Sequence, residues 1–277
     1  MQNLTDRPAL LRQRRRALAG ASPALFLHEA AIREIQERLS EVNRTFTDIA
    51  VVTGFADPWQ AGFPDARILN DDDMLDLPEA GLDLVIHGLA LHWANDPVGQ
   101  LIQCRRALRP DGLFLGALLG GQTLHELRAV LAESETAVTG GLSPRILPMA
   151  EIRDLGALLQ RAGFALPVAD SDPRKVHYRD TFHLMRDLRA MGEGNALISR
   201  PRKPLRRAIL AETVTRYTTA FPAPKARIRA TFETIYLTGW APGPGQQQPL
   251  RPGSAMQRLA KVLNTDEFTL PGAGSNA

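Results

Sequence analysis

The order of hydrophobic and polar positions along the chain predicts short apolar strands that alternate with amphipathic helices. Residues 82–87 are largely apolar on both faces, which is typical of a central parallel strand. The other predicted strands are 49–52, 66–69, 113–118, 164–168 and 228–237. This alternation predicts an α/β protein with a doubly wound sheet.

Helical spacing of apolar residues fills most of the intervals between these strands. The predicted helices are 22–42, 97–108, 123–132 and 150–162, together with most of 180–220. Residues 1–20 are basic and are predicted to be helical or loosely attached. Thr123 and Glu126 have the spacing of a capping box, and residues 109–112 are predicted as a turn.

Composition narrows the class of protein. The 277 residues carry a net charge of +3 and are 44% hydrophobic, which is enough for one large domain with a sizeable core. Aromatic residues make up 6%, too few for a base-stacking platform, and the basic run 12–16 is of a length that is commonly just solvated. We therefore expect no nucleic-acid partner.

The chain has one cysteine, Cys104, and no apolar run near the roughly 20 residues that cross a bilayer. A single cysteine excludes an internal disulfide, and its helical neighbours predict that it is a core residue. Residues 7–16 are rich in arginine, as in an organellar presequence, but they lack the apolar core of a secretory signal. We expect a cytoplasmic protein of a bacterium.

The first candidate site is the turn from Asp48 to Gly54. Doubly wound sheets bind ligands beyond the carboxyl ends of their strands, and a nucleotide-type cofactor needs glycine where the backbone approaches it closely. Only Gly54 is a glycine here, whereas Ala50 and Val51 stand where close approach would be wanted. An ordinary buried strand and turn is the favoured interpretation from these residues alone.

The second candidate site is the acidic run after the second predicted strand. The run is Asn70-Asp71-Asp72-Asp73-Met74. One of its carboxylates could hold ribose hydroxyls or an adenine amino group, and Met74 could pack on an adenine face. Adjacent acids are equally typical of a solvated loop. The residues leave both interpretations open.

The third candidate site follows the central strand and contains His87, His92, Trp93, Asn95 and Asp96. Trp93 could form a pocket wall, and Asn95 or Asp96 could orient a polar group of a substrate. Asp96 directly precedes Pro97 and is also a good helix N-cap. His92 is the candidate general base.

Two further predictions concern metals and the last part of the chain. His92 has no partner at metal-ligand spacing, so we expect no metal site. Glu126 could pair with a guanidinium or only complete the helix cap. The segment from Trp240 through Gln247 to 254 is rich in Pro and Gln, and could be either a lid over the cleft or a linker.

Four long segments together carry a family resemblance: LALHWANDPVGQLIQCRRALRPDGLFLGALLGGQTLHELR, GGLSPRILPMAEIRDLGALLQRAGFALPVADSD, DLRAMGEGNAL and TFETIYLTGWAPGPGQQQPLRPGSA. The chain resembles the bacterial relatives of the mitochondrial respiratory complex I assembly factor 5 family from about residue 6 to 264. These are class I S-adenosylmethionine-dependent methyltransferase-fold proteins, also similar to the biotin-pathway malonyl-carrier methyltransferase.

The resemblance implies a Rossmann-like sheet of seven strands with an antiparallel last strand. It divides the chain into an N-terminal helical segment (1–45), a methyltransferase-fold domain (46–241) with a helical insertion at about 171–225, and a lid and tail (242–277). The family's cofactor loop, Asp-Leu-Gly-x-x-x-Gly, matches residues 48–54. Here Ala50 replaces its first glycine and Val52 adds bulk.

The resemblance also implies a cofactor, S-adenosylmethionine, and a set of site residues. The expected cofactor contacts are Asp48, Gly54, Asn70, Asp71, Asp73, Met74 and His87. The expected catalytic residues are His92, Asp96 and Glu126. The expected substrate contacts are Trp93, Asn95, Trp240 and Gln247.

Two functions follow as expectations. In the first, the chain is an enzyme that modifies a protein side chain, by methylation or arginine hydroxylation, during assembly of complex I. In the second, the altered glycine loop has ended cofactor binding, and the chain is a non-catalytic assembly factor or chaperone. Both imply a protein partner, such as a complex I subunit, and peripheral association with the assembling complex.

Overall fold

The structure is a computed structural model in which residues 3–246 are described. Residues up to Pro244 form one compact unit, and Gly245–Ala277 form a second. Gln247 and the rest of the predicted lid lie outside the described residues.

One mixed sheet of seven strands organises the fold. Its order is β2-β1-β3-β4-β7-β5, and the two-residue β6 pairs with β7. Strands β1 to β4 are parallel, whereas β7 is antiparallel to both β4 and β5. The strands are β1 (Ile49–Thr53), β2 (Arg67–Leu69), β3 (Leu82–Gly88), β4 (Leu108–Leu119), β5 (Ala165–Tyr178), β6 (Pro222–Ala223) and β7 (Arg227–Trp240). The predicted doubly wound sheet with an antiparallel last strand is confirmed.

Eight α-helices connect and cover the described strands. They are α1 (Arg7–Leu18), α2 (Phe26–Glu41), α3 (Ala56–Gly62), α4 (Pro97–Ala107), α5 (His125–Thr139), α6 (Ile152–Arg161), α7 (Thr181–Ala190) and α8 (Arg207–Ala220). A short 3-10 helix spans Leu91–Trp93.

Two apolar clusters cover the two faces of the sheet. Alternation along β3 directs Leu84 and Ile86 into the cluster with α2 and α5, and directs Val85 into the cluster with α4 and α6. Cys104 on α4 belongs to the second cluster and is fully buried, as predicted. Burial raises the pKa of its thiol to about 12.

The start of α5 corrects the predicted capping box. The Thr123 hydroxyl donates to the Glu233 carbonyl and accepts from the Glu233 amide. The Glu126 carboxylate turns inward and accepts from the amide and hydroxyl of Thr231. Because both side chains bond to β7, neither caps the helix, and Leu124 is the N-cap with a φ of 53°.

Two strands are longer than the apolar pattern indicates. Strand β4 begins at Leu108, so the predicted turn at 109–112 lies within it, with Asp111 at a φ of 62°. Strand β5 continues to Tyr178, so residues 171–178 pair with β7 rather than beginning the predicted insertion. Its alternating half-buried and exposed positions include Pro173, as is typical of an edge strand.

Candidate functional site

The order of the sheet reverses between β1 and β3, and this switch point sets the ligand crevice of the fold. Ligands of doubly wound sheets bind outside the carboxyl ends of the two strands at such a point. Here those ends are marked by Gly54, which follows β1, and by Gly88, which ends β3. The residues around these two glycines therefore decide whether a cofactor fits.

The guanidinium of Arg14, from α1, lies directly against Gly54. A Cβ added to Gly54 would overlap Cζ and Nη1 of Arg14. Gly192 makes room on the other side of Arg14, since a Cβ there would lie 3.2 Å from the Arg14 Cα and 2.8 Å from Cζ of Phe55. Because Gly54 and Gly192 have no side chains, Arg14 fits between them. The Arg14 side chain is only 4% exposed.

Asp71 holds this arginine through a buried ion-pair network. Nη1 of Arg14 lies 2.7 Å from Oδ1 of Asp71, and Nη1 of Arg7 lies 2.9 Å from Oδ2. Arg7 also donates to the Asp71 carbonyl at 2.7 Å. Burial opposes ionisation of Asp71, but the two guanidinium groups outweigh it and keep the pKa of the carboxyl below its ordinary value.

Helix α1 is tied to the rest of the unit just before Arg7. Asn95 accepts from the amides of Leu4 and Thr5 at 2.9 and 2.8 Å, and its amide group donates to the Thr5 carbonyl. Thr5 also forms a β-bridge with Leu197. Asn95, predicted as a substrate contact, therefore holds the segment that places α1 in the crevice.

The indole of Trp59 closes the other side of the crevice. A Cβ added to Gly88 would overlap the Trp59 ring, which is fully buried. The ring is fixed because its Nε1 donates to Nδ1 of His28 at 3.0 Å. The Thr53 hydroxyl bonds to the Gly88 carbonyl at 3.0 Å, which joins the ends of β1 and β3.

The residues present do not fit an adenosyl cofactor at the switch point. The surfaces of Gly54 and Gly88, where a ligand would approach the backbone, are covered by Arg14 and Trp59. Ala50 and Val52, which depart from the family's loop, are fully buried in the core. Gly54 lies beside the crevice, and its neighbour there is an arginine.

Apart from Gly54 and Asp71, the predicted cofactor residues lie away from Arg14 and do not share one site. Asp48 precedes β1 and pairs with Arg109 at 2.7 Å, so it lies about 20 Å along the strand from Gly54 and cannot reach the crevice. Asn70 and Met74 line a shallow surface cavity of about 290 Å³ beside β2. Asp73 is exposed near them, and the residue Met74 is 80% exposed.

His87 is buried on the α4 side of the sheet, away from solvent. Its Nε2 lies 3.0 Å from Oε1 of Gln100, whose amide group donates to the carbonyls of Asp71 and Asp72. Burial lowers the pKa of His87 to about 4. Gln100 thus links His87 on β3 and the backbone of Asp71 and Asp72 to α4. In this arrangement His87 is a structural residue rather than a cofactor contact.

His92 and Trp93 both point at Glu193, which follows α7. Trp93 Nε1 donates to Oε2 of Glu193 at 2.8 Å, and Nε2 of His92 lies 3.5 Å from the same oxygen. Nδ1 of His92 accepts from the Leu119 amide at 3.5 Å. With both nitrogens directed at protein groups, His92 has no free lone pair to act as the predicted general base.

Glu193 lies in a mostly enclosed position, with its side chain 13% exposed. Burial opposes its ionisation, but the hydrogen bonds of His92 and Trp93 and the charge of Arg14 keep its pKa below the ordinary value. The sequence prediction missed Glu193. The available signal was an acid between glycines, Gly192-Glu193-Gly194-Asn195, directly after an amphipathic helix.

The remaining predicted site residues have structural contacts. Asp96 accepts from the Gly99 amide at 2.8 Å and caps α4. Glu126 is fully buried and bonds to Thr231, so it does not face the crevice. Trp240 pairs with Leu113, which is in register with Leu84 near the amino end of β3, the end of the sheet opposite the switch point.

Trp93 and Glu193 line a pocket of about 200 Å³ that sequence reasoning did not predict. It lies between α5, α7 and the segment 145–149, and its walls are mostly apolar. Among residues 3–246, no group of three or more His, Cys, Asp or Glu side chains could hold a metal ion. No helix in the same range is long and apolar enough to span a membrane.

Sequence comparison defines the class of protein to which this sheet and crevice belong. Residues 30–116 match the family model of a methyltransferase domain. The malonyl-[acyl-carrier protein] O-methyltransferase of Halorhodospira halophila is 36% identical over 169 residues, which is 61% of this chain and 55% of that protein. The chain is a methyltransferase-fold protein.

The family is narrower than that class. Arginine-hydroxylase NDUFAF5, mitochondrial, of Danio rerio is 37% identical over 231 residues, which cover 82% of this chain and 71% of that protein. The same protein of Rattus norvegicus is 40% identical over 213 residues, covering 77% of this chain but only 62% of the rat protein. The chain belongs to the NDUFAF5 family, and the predicted resemblance is confirmed.

Proposed function

We propose that this protein takes part in the assembly of respiratory complex I by binding a partner protein, without using an adenosyl cofactor. The observation that carries the proposal is the Arg14 guanidinium, which lies against Gly54 and is paired with Asp71. This proposal takes the methyltransferase fold as a scaffold whose surface, rather than its crevice, performs the function.

The energy needed to open the crevice supports this proposal. A nucleoside at Gly54 would have to displace Arg14 and so break a buried ion pair. Removing one partner from a buried ion pair costs about 3–5 kcal/mol of free energy, because the other charge is left buried and unpaired. Binding of the ligand would have to supply that energy, and its affinity would fall by about a hundredfold or more.

The partner is proposed from the relatives. The mitochondrial proteins of the family carry the name arginine-hydroxylase. We extend to this chain only the recognition of a protein that carries such an arginine.

A second candidate function is that of an enzyme that still uses S-adenosylmethionine. The methyltransferase domain match and the enzyme names of the relatives favour a chain that modifies a protein side chain with S-adenosylmethionine. In that case α1 would move away from Gly54, and Asp73 and Met74 would contact the adenine. Both side chains are exposed, so this candidate can be tested without disturbing the core.

Complementation separates the two candidates. Deletion of the gene in the source organism should lower the amount of assembled complex I on native gels, and the wild-type gene should restore it. The proposal predicts that an Asp73→Ala/Met74→Ala variant restores assembly fully. Loss of assembly with a folded, normally expressed double variant would instead support the cofactor-dependent enzyme. If deletion leaves complex I unchanged, both functions are wrong.

A further inference from the structure

We infer that the cavity between the last turns of α1 and α7 binds an acidic segment of a partner polypeptide, with one carboxylate held by Arg16 and Arg189. The inference rests on the proposed function, because it states the chemistry of the partner that the surface of this protein would recognise. Neither Gly54 nor Glu193 is among the residues that line this cavity.

The cavity lies where α1 and α7 pack against each other, and its volume is about 480 Å³. Its walls come from α1 and the residues that follow it, from the end of α7, and from Gly194 and Asn195. Arg16 lines it from the last turn of α1, and Arg189 lines it from the last turn of α7. A side chain that enters this cavity from solvent could therefore lie between two guanidinium groups.

Each of the two helices continues the positive charge away from the cavity. Arg12 is exposed one turn before Arg16 and shares its face of α1. Arg186 is exposed one turn before Arg189 and shares its face of α7. Arg15, also on α1, is exposed as well. None of these five arginines forms an ion pair with another residue of the range 3–246.

The acidic side chains of this region are already bonded to other groups. Helix α1 contains no Asp or Glu, and the one acid of α7, Asp187, accepts from the Tyr178 hydroxyl at 2.8 Å. Asp180, the N-cap of α7, pairs with Arg179 at 2.9 Å and accepts from the His183 amide. Side chains of the two helices therefore do not neutralise the five arginines.

The helix ends offset only part of this positive charge. Arg15, Arg16 and Arg189 lie in last turns, where the helix dipole places about half a negative charge at each helix end. Two such ends supply about one negative charge against five guanidinium groups. Arginines three or four positions apart on one helix also repel each other. An acidic ligand would relieve this repulsion, and the fold itself does not need these charges.

Exposed apolar side chains next to the arginines favour a polypeptide as the ligand. Leu11 and Leu18 are each 44% exposed, one turn to either side of Arg15. Phe182 is 49% exposed, two turns before Arg189. An acidic segment could pack its own apolar side chains on these residues while its carboxylates reach the guanidinium groups. A flat membrane surface would meet the outer arginines but would not fill a concave cavity between two helices.

Fluorescence anisotropy with dye-labelled peptides tests the inference on the full chain at low ionic strength. The probes are a peptide of sequence Glu-Leu-Glu-Ala-Glu-Leu-Glu and the same peptide with Gln in place of every Glu, which keeps the shape but removes the charge. The protein variants are Arg16→Gln/Arg189→Gln and the matched control Arg153→Gln/Arg161→Gln. The control removes two exposed arginines from α6, on the other face of the sheet. Circular dichroism checks that each variant is folded.

We expect the Glu peptide to bind about tenfold or more tightly than the Gln peptide, because several ion pairs of modest strength act together. Arg16→Gln/Arg189→Gln should remove most of this difference, and the control should keep it.

Equal binding of both peptides, no binding of either, or equal losses in the two double variants would overturn the inference. Binding of phosphatidylglycerol vesicles without binding of the Glu peptide would also overturn it, because the ligand would then be an anionic membrane. Because the titration does not involve complex I, its failure is distinct from failure of the complementation that tests the proposed function.

Discussion

Arg14 and Gly54 are in direct contact, although they lie on different elements and 40 positions apart in the sequence. The arginine occupies the surface that glycine leaves open at the end of β1. In a doubly wound fold that surface belongs to the ligand. In this protein the chain supplies its own occupant, and Asp71 fixes it there.

The first prediction concerns the ion pairs of Asp71. Replacement by Asn should lower the free energy of unfolding by about 3 kcal/mol, because Arg14 and Arg7 would then be buried without their shared carboxylate. Urea denaturation measures the change. Asp72→Asn is the matched control, since Asp72 is 62% exposed, and should change stability by less than about 0.5 kcal/mol. Equal effects of the two substitutions would refute the network as described.

The second prediction concerns Gly88 and Trp59. Gly88→Ala should destabilise the protein by about 1–3 kcal/mol, because the new methyl group would overlap a fully buried indole ring that cannot move freely. Gly156→Ala, inside α6, is the opposite control. Its new methyl group would have only Ala169 nearby, at 3.8 Å, so stability should rise by about 0.5–1 kcal/mol. Thermal unfolding tests both predictions: the melting temperature should fall in Gly88→Ala and rise in Gly156→Ala.

The third prediction concerns Glu126, an expected catalytic residue that the structure places in the core. Glu126→Gln would turn an amide donor toward the amide or hydroxyl of Thr231, both of which donate to the carboxylate. Stability should fall by about 1–3 kcal/mol. Glu133→Gln, on the exposed side of the same helix, should have little effect. A Glu126 variant of wild-type stability would mean that this bonding is not important to the fold.

The fourth prediction concerns pH. Burial lowers the pKa of both His28 and His87 to about 4, whereas the unfolded chain titrates near 6.5. Between these values the unfolded state binds more protons, so the free energy of unfolding should fall as the pH drops from about 6.5 to 4. Each histidine contributes up to about 3 kcal/mol to this loss.

Urea midpoints measured across this pH range test the assignment. His87→Gln should make the dependence on pH shallower, whatever it does to stability at pH 7. His177→Gln, which changes an exposed histidine, should leave the slope as it is. An unchanged slope in the His87 variant would show that His87 is not a buried neutral residue.

The apolar pattern was sufficient for the doubly wound class of the sheet, whereas the seven strands and the antiparallel last strand were expected from the family resemblance. The central strand, the Asp96 cap and the buried Cys104 all follow from local pattern. The edge strand β5 did not follow, because its outer positions are polar and its stability comes from pairing with β7.

The candidate site was harder to predict because its contacts are distant in sequence. The acidic run was located correctly at the end of β2, but its partners, Arg7 and Arg14, belong to a basic segment that was predicted only to be helical or loosely attached. Asp48 and Trp240 were misplaced because a match of residue types does not say at which end of a strand they lie. Glu193 became visible only when folding placed it beside Trp93.

The most direct test of the account is the binding of S-adenosylmethionine to the full wild-type chain, measured by titration calorimetry and by the shift in melting temperature. A ligand that binds the native state must raise that temperature, even where the heat of binding is small. The account predicts neither heat nor a shift, because Arg14 fills the surface of Gly54. Micromolar binding that is lost in Asp73→Ala would contradict it.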